Sequence, residues 1–173
     1  MIPIRSITIS AFLIAAGIAS SFLAHITGIG GRIFLPLHYP ALLAGLLFGW
    51  RMGITVGLLT PLMSAILTGM PPLIPSAILM VPELVVYGLC SGLLRKYTGL
   101  YPALLISQIM GRLAWGAAVL LLTPLIGLQI PVVPALITGL VMGLPGIIGQ
   151  IILIPLLVVR LERSGLVIKP VRD

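Results

Sequence analysis

The polar side chains that could bind a ligand are few, and they lie inside long apolar segments. Glu83 and Tyr87 are four residues apart, so on a helix they share one face. Gln108 and Arg112 have the same spacing in a later segment, with Trp115 one turn beyond. A charge at mid-membrane costs about 2.5–3.5 kcal/mol on insertion scales, so it normally faces a partner, a cavity or the protein interior. Glu83 and Arg112 are therefore predicted either to meet a polar ligand or to form a structural ion pair between two helices.

Other polar and aromatic residues extend this candidate site. Gln108 and Gln150 suit either a ligand contact or a hydrogen bond between helices. Arg32 and His38 lie near the start of the second apolar segment. There they could bind an anionic or polar ligand, or a lipid headgroup. Phe34, between them in sequence, is expected to close over a ligand together with Arg32.

The sequence carries no signature of catalysis. It has no GxSxG, HExxH, P-loop or kinase motif, and only three acidic residues in all. Two His and one Cys make a transition-metal site improbable, and no cofactor is expected. The chain is therefore predicted not to be an enzyme, and energy from ATP would have to come from another chain.

Composition indicates one domain, residues 1–173, in a lipid bilayer. Hydrophobic residues make up 60% of the chain and charged residues 8%, and the mean hydropathy is +1.28. Soluble domains have about 25% charged residues. The net charge of +7 comes from scattered basic residues that form no patch for nucleic acid. The predicted fold class is an all-α integral membrane protein.

Breaks at Pro and Gly divide the chain into six apolar segments, predicted as transmembrane helices. Their predicted bounds are 4–26, 37–48, 52–68, 76–94, 100–126 and 135–159. The loops 27–37, 69–75 and 127–134 separate pairs of them, and the second segment is short for a full crossing. Glycines recur every fourth residue through the second and third segments, at Gly45, Gly49, Gly53 and Gly57, which predicts close helix contacts.

Basic residues predict the orientation. One set of segment ends carries eight of the ten: Arg5, Arg51, Arg95, Lys96, Arg160, Arg163, Lys169 and Arg172. The opposite ends carry Arg32 alone. The positive-inside rule then places both termini in the cytoplasm and the three loops outside, which requires an even number of spans.

Small residues mark one face of the first segment. Ala11, Ala15 and Ala19 fall four residues apart, a spacing that lets another helix approach closely in lipid. The partner could be a helix of this domain or of another protein.

With these features the chain resembles the substrate-binding S-component of an energy-coupling factor (ECF) transporter. The resemblance rests on Ala11-x-x-x-Ala15 with Ala19 beyond it, and on the stretches from Gly30 to Gly49 and from Pro61 to Leu73. It implies a plasma-membrane protein that binds a vitamin or vitamin precursor from outside. It also implies docking by the alanine face on a membrane coupling subunit driven by two ATPases.

The ligand itself stays open at this point. Arg112, Arg32 and His38 would suit a carboxylate or phosphate, as in pantothenate. Glu83, Tyr87 and Trp115 would suit a nitrogen heterocycle with hydroxyls, such as α-ribazole. A scaffold subunit without a small-molecule ligand is the alternative, and a channel is disfavoured because no ring of polar residues repeats.

Depth along the predicted helices gives the expected shape of the pocket. Glu83 falls about seven residues, or roughly 10 Å, from the outer end of its segment, and Arg112 about fourteen residues, or roughly 20 Å, from the outer end of the next. This difference favours a cavity with Glu83 near its mouth and Arg112 at its floor over a tight ion pair, although the long side chains could still bridge the two residues. Tyr87 and Trp115 would form the walls.

Overall fold

The structure is a computed structural model that describes residues 4–28 and 31–165, with the backbone alone for Gly31 and Arg32. Lys169 and Arg172, counted above for the orientation, lie outside the described residues. Within these ranges the chain is helical and without strands, which confirms the predicted all-α class. The helices are α1 (Ile4–Ile26), α2 (Gly31–Phe34), α3 (His38–Phe48), α4 (Trp50–Thr68), α5 (Ile78–Thr98), α6 (Leu100–Leu122) and α7 (Val132–Arg163). A π-helical turn, Leu73–Ala77, leads into α5, and a 3-10 turn, Pro124–Ile126, follows α6.

Five helices of the described chain are long and apolar enough to cross a membrane. They are α1, α4, α5 with its preceding turn, α6 and α7. Large apolar side chains on their outer faces are widely exposed, for example Phe12 at 70%, Ile66 at 73% and Leu121 at 66%. Exposed apolar surface of this extent fits contact with lipid chains.

The short helix α3 forms the centre of the bundle. Its residues 40–47 are all buried, and it contacts α1, α4, α5, α6 and α7. A helix that is apolar on every side is expected in such a position. At 1.5 Å per residue its 11 residues cover roughly 16 Å. It therefore extends through only part of the hydrocarbon layer, and lies inside the protein rather than against lipid.

Glycines bring α4 and α5 into backbone contact. A Cβ atom on Gly53 would overlap the backbone of Gly88, and one on Gly57 would overlap the backbone of Leu84. Gly45 of α3 meets α5 in the same way. Gly49 has a different role, because it forms the turn between α3 and α4 with φ 88°. The close contacts predicted from the four-residue spacing are thus present, and the backbone of Gly49 also lies against α5, since a Cβ atom on Gly92 would be 2.5 Å from its carbonyl carbon.

Several element bounds differ from the prediction, and prolines explain two of the differences. The sixth predicted segment begins after Pro134, but α7 begins at Val132, because a proline is tolerated in the first helical turn. The fifth was predicted to reach residue 126, but α6 ends at Leu122. Pro124 lacks the N–H group that would continue the helix.

The other differences lie at the ends of α5 and α7 and within the first loop. The turn Leu73–Ala77 before α5 contains an extended residue, Ile74, and α5 itself continues to Thr98. The last helix extends to Arg163, where Arg95 Nη2 lies 3.1 Å from Glu162 Oε1 and joins the ends of α5 and α7. The predicted loop 27–37 contains the short helix α2.

Candidate ligand-binding site

Three helices bring a cluster of polar side chains together inside the bundle. Oε1 of Glu83 accepts a hydrogen bond from the Tyr87 hydroxyl at 3.0 Å and lies 3.1 Å from Nη1 of Arg112. Nε2 of His38, from α3, lies 3.5 Å from the same oxygen. Glu83, Tyr87 and His38 are each no more than 2% exposed. We call His38, Glu83, Tyr87 and Arg112 the polar cluster.

The close Glu83–Arg112 pair contradicts the predicted separation of these residues in depth. Glu83 lies nine residues after Ile74, the extended residue that precedes the continuous helix, and Arg112 lies ten residues before Leu122, where α6 ends. The two side chains are therefore level. The prediction was wrong chiefly because it extended α6 to residue 126, through the turn at Pro124, and so placed Arg112 four residues too deep.

Helix geometry and one glycine position the cluster. Glu83 and Tyr87 are one turn apart on α5, so the hydroxyl reaches the carboxylate within the same helix. Gly111 of α6 leaves room for the aromatic ring, since a Cβ atom there would overlap the ring of Tyr87. The absence of a side chain at Gly111 allows α6 to bring Arg112 against Glu83.

Arg112 retains unused hydrogen-bond donors. Its Nε and Nη2 atoms are buried and have no hydrogen-bond partner among the described residues. Nη2 is directed at α7, where a Cβ atom on Gly143 would lie 3.4 Å from it. Buried polar groups in folded proteins are nearly always paired, so two such donors on one side chain indicate a site for a further molecule.

The His38 ring is also unsatisfied. Both its nitrogens are buried and lack a partner with hydrogen-bond geometry within the described chain, although Nε2 is 3.5 Å from Glu83. The ring centroid lies 5.6 Å from that of Tyr87. His38 is thus buried beside Glu83 and Tyr87.

The two glutamines form a separate contact. Nε2 of Gln108 donates to Oε1 of Gln150 at 2.8 Å and so joins α6 to α7. This is the interhelical hydrogen bond that the sequence allowed as an alternative to a ligand contact. Nε2 of Gln150 is buried and has no described partner.

A short segment before α3 covers the face of α7 next to the cluster. A Cβ atom on Gly146 would lie 2.7 Å from the carbonyl oxygen of Ile33, and one on Gly143 would lie 3.1 Å from Cδ1 of Leu35. Leu35 is buried at a positive φ of 50°, a conformation that non-glycine residues seldom adopt. We call residues 33–35 the covering segment.

The remaining predicted site residues lie outside the polar cluster. Trp115 packs against Leu79 and Val119 in a second apolar cluster. Phe34 is 48% exposed. Arg32 lies in α2, and its side chain lies outside the described part of the structure.

Sequence reasoning missed Leu35, Gly143 and Gly146. Leu35 is an ordinary apolar residue whose backbone conformation has no sequence signal. Gly143 and Gly146 did have a sequence signal, because their spacing of three residues places both on one face of α7.

The three predicted docking alanines are exposed. Ala11, Ala15 and Ala19 lie on the outer surface of α1, whereas its buried residues are Ser6, Ser10, Gly17 and Ser21. At 100° per residue the two sets are roughly 150° apart around the helix. The alanines therefore do not serve packing of α1 within this bundle.

A bundle of apolar helices around one buried polar cluster defines a multi-pass membrane protein with an internal polar site. The family described as "ECF transporter, substrate-specific component" matches residues 5–158. The chain belongs to this family, and is a substrate-specific subunit of an ECF importer in the plasma membrane. Such a subunit is a transporter component, not an enzyme, and works with coupling and ATPase subunits. No curated protein and no solved structure matches the chain.

Proposed function

We propose that the protein captures a small carboxylic acid, a vitamin or vitamin precursor of the pantothenate type, and that Arg112 binds its carboxylate. The supporting observation is the buried Nε and Nη2 of Arg112, which have no described partner. Their N–H groups point from one edge of the planar guanidinium, and such an edge holds a carboxylate through two parallel hydrogen bonds. Glu83 contacts Nη1, so this edge is left for the ligand.

The energetic cost of unpaired buried donors favours the same role. A buried donor without a partner costs about 1–3 kcal/mol, and a charged one costs more. Two such donors on Arg112 therefore destabilise the ligand-free protein, and a bound carboxylate would remove this cost by accepting both hydrogen bonds. Glu83 keeps the guanidinium in place meanwhile, so the side chain needs little reorganisation when the acid binds.

A nucleoside-like ligand has less support. It needs aromatic walls, but Trp115 packs in the second apolar cluster and the Tyr87 hydroxyl already donates to Glu83. Free donors on an arginine favour an acid instead.

The covering segment is the proposed entrance. It lies on Gly143 and Gly146, next to Nη2 of Arg112. Its strained residue Leu35 stores of the order of 1–3 kcal/mol. Lifting this segment from α7 would open the unpartnered edge of Arg112 and relieve that strain. Closing it over the acid would exclude water.

We further propose that α3 counts as a sixth membrane helix and that both termini are cytoplasmic. Arg51, Arg95, Lys96, Arg160 and Arg163 all lie at or next to the helix ends assigned to the cytoplasmic side. The covering segment and the turn at Leu73 then face outside, where the ligand arrives.

The exposed alanine face of α1 is the proposed contact with the membrane coupling subunit, which two ATPases drive. In lipid, helices associate through close packing of small residues, not through the hydrophobic effect. Ala11, Ala15 and Ala19 offer such a surface to another protein because the buried face of α1 is a different one.

Calorimetry on the purified protein tests the proposed ligand class. Sodium pantothenate is expected to bind and α-ribazole is not. Binding of α-ribazole alone would contradict the role of Arg112. If the protein binds no small molecule and carries none from the cell, it is a scaffold subunit.

A further inference from the structure

The polar cluster has a charge balance that an acidic ligand would disturb. Arg112 contributes one positive charge and Glu83 one negative charge, so with neutral His38 the described cluster has no net charge. A carboxylate bound to Arg112 adds a negative charge in a buried site. An uncompensated buried charge is costly.

We propose that His38 takes up one proton from solvent when the acid binds, so that the site captures the ligand together with a proton. The proposal rests on the proposed function, since it needs an anionic ligand at Arg112. The proton adds to the ring nitrogen that carries the lone pair. The imidazolium then balances the ligand charge, and no bond in the ligand changes.

His38 is better placed than Glu83 to accept this proton. Oε1 of Glu83 already receives the Tyr87 hydroxyl and the Nη1 group of Arg112. Protonating the carboxylate would weaken both contacts. Protonating His38 loses none, because its nitrogens have no described hydrogen-bond partner. In the protonated ring both nitrogens carry a proton, so Nε2 is a donor 3.5 Å from the carboxylate and the positive charge strengthens this contact.

The groups around His38 support this assignment. Glu83 and Tyr87 face it from α5, and Arg112 reaches the same carboxylate oxygen from α6. On the other helices packed against α3, the described charged or histidine side chains stand near helix ends: Arg5, His25, Arg51, Arg160, Glu162 and Arg163. Of these, His25 forms a hydrogen bond through Nδ1 with the backbone oxygen of Ser21.

The coupling of ligand binding to protonation of His38 predicts the direction in which affinity changes with pH. Where free His38 is neutral and bound His38 is charged, binding consumes one proton, so the affinity falls about tenfold for each unit of rising pH.

Nitrogen NMR of ¹⁵N-histidine-labelled protein tests the charge balance without any ligand. The chain has two histidines, so His25→Asn leaves the His38 signals alone. At pH 7 we expect neutral His38 in this background and charged His38 after adding Arg112→Gln, which removes the cation beside Glu83. The double change Arg112→Gln with Glu83→Gln is the control, in which His38 returns to neutral. Neutral His38 with Arg112→Gln alone, or charged His38 in the control or in the background protein, would overturn the proposal.

Calorimetry in two buffers measures proton uptake by the unmodified site when the ligand binds. Sodium pantothenate is titrated into the protein at pH 7 in phosphate and in Tris. Because each proton taken up is released by the buffer, the two binding heats should differ by the difference between the ionisation enthalpies of the two buffers, counted once. His38→Gln should remove the difference. Equal heats in both buffers with the parent protein would refute proton uptake. Absence of any pantothenate binding would refute the proposed ligand instead, and the NMR result with Arg112→Gln would still decide the role of His38.

Discussion

Nη1 of Arg112 lies 3.1 Å from Oε1 of Glu83, and the opposite edge of the guanidinium has no described partner. The contact joins α5 to α6 deep in an apolar bundle. A purely structural pair would be expected to use the donors of both edges. This pair uses one edge, and we propose that it positions the other for a ligand.

Removing the carboxylate of Glu83 should separate its structural role from its effect on binding. We expect Glu83→Gln to destabilise the ligand-free protein by about 3 kcal/mol, because Arg112 becomes an unpaired buried charge. An acidic ligand then restores the balance. Sodium pantothenate should therefore raise the melting temperature of this variant more than that of the parent.

Tyr87→Phe is the matched control for that experiment, since it removes a hydrogen bond to Glu83 without changing any charge. Its loss of stability should be near 1 kcal/mol. If Glu83→Gln melts at the parent temperature and gains no more from the acid, the electrostatic account of the cluster is wrong.

Gly146→Ala should weaken closure of the covering segment. The new Cβ atom would lie 2.7 Å from the carbonyl oxygen of Ile33, so the segment must move away from α7. We expect the acid to dissociate about tenfold faster, which corresponds to about 1.4 kcal/mol. Gly139→Ala is the control on the same helix, because its Cβ atom would be 3.9 Å from Arg112 Nη1, an ordinary contact. Equal dissociation rates for the two variants would show that the segment does not retain the ligand.

The sequence predicted the local relationships well. The spacing of Glu83 and Tyr87 predicted a shared face, and the two side chains form a hydrogen bond. The glycine spacing predicted close helix contacts, and Gly53 and Gly57 make them with α5. Both follow from the period of an α-helix, which depends on neighbouring residues alone.

The relative depth of residues on different helices was not predictable in this way. Whether Glu83 meets Arg112 depends on where α5 and α6 start and end, and the turn at Pro124 ends α6 four residues before the predicted bound. The positive φ of Leu35 likewise comes from packing against α7, not from its own side chain. Tertiary contacts determine such features.

Ala15→Trp should block transport and preserve ligand binding. The bulky side chain would project from the exposed face of α1 and keep a coupling subunit at a distance. Uptake of labelled ligand by cells and binding by the purified variant are measured in parallel. Ile109→Trp, on an exposed face of α6 at 62% exposure, is the control and should transport normally. Normal uptake by the Ala15→Trp protein would exclude the alanine face as the docking surface.

The proposed topology predicts which side of the membrane a thiol label reaches. In a Cys90→Ser background, Leu73→Cys should react with an impermeant maleimide added outside intact cells, because Leu73 is 44% exposed at the predicted outer end of α5. Ser164→Cys, after the end of α7, should react only in inverted vesicles. Labelling of position 73 only from the cytoplasmic side would reverse the orientation.

Mass spectrometry of the ligand that co-purifies with the protein tests the role of Arg112 most directly. The parent protein and Arg95→Lys, a matched change in the distant pair with Glu162, should both release the same small carboxylic acid. Arg112→Lys keeps the charge but loses the two-donor edge, so it should fold normally and retain less than a tenth of that acid. A neutral nucleoside released from the parent, or an equal amount of acid retained by Arg112→Lys, would contradict the proposal that Arg112 binds the ligand's carboxylate.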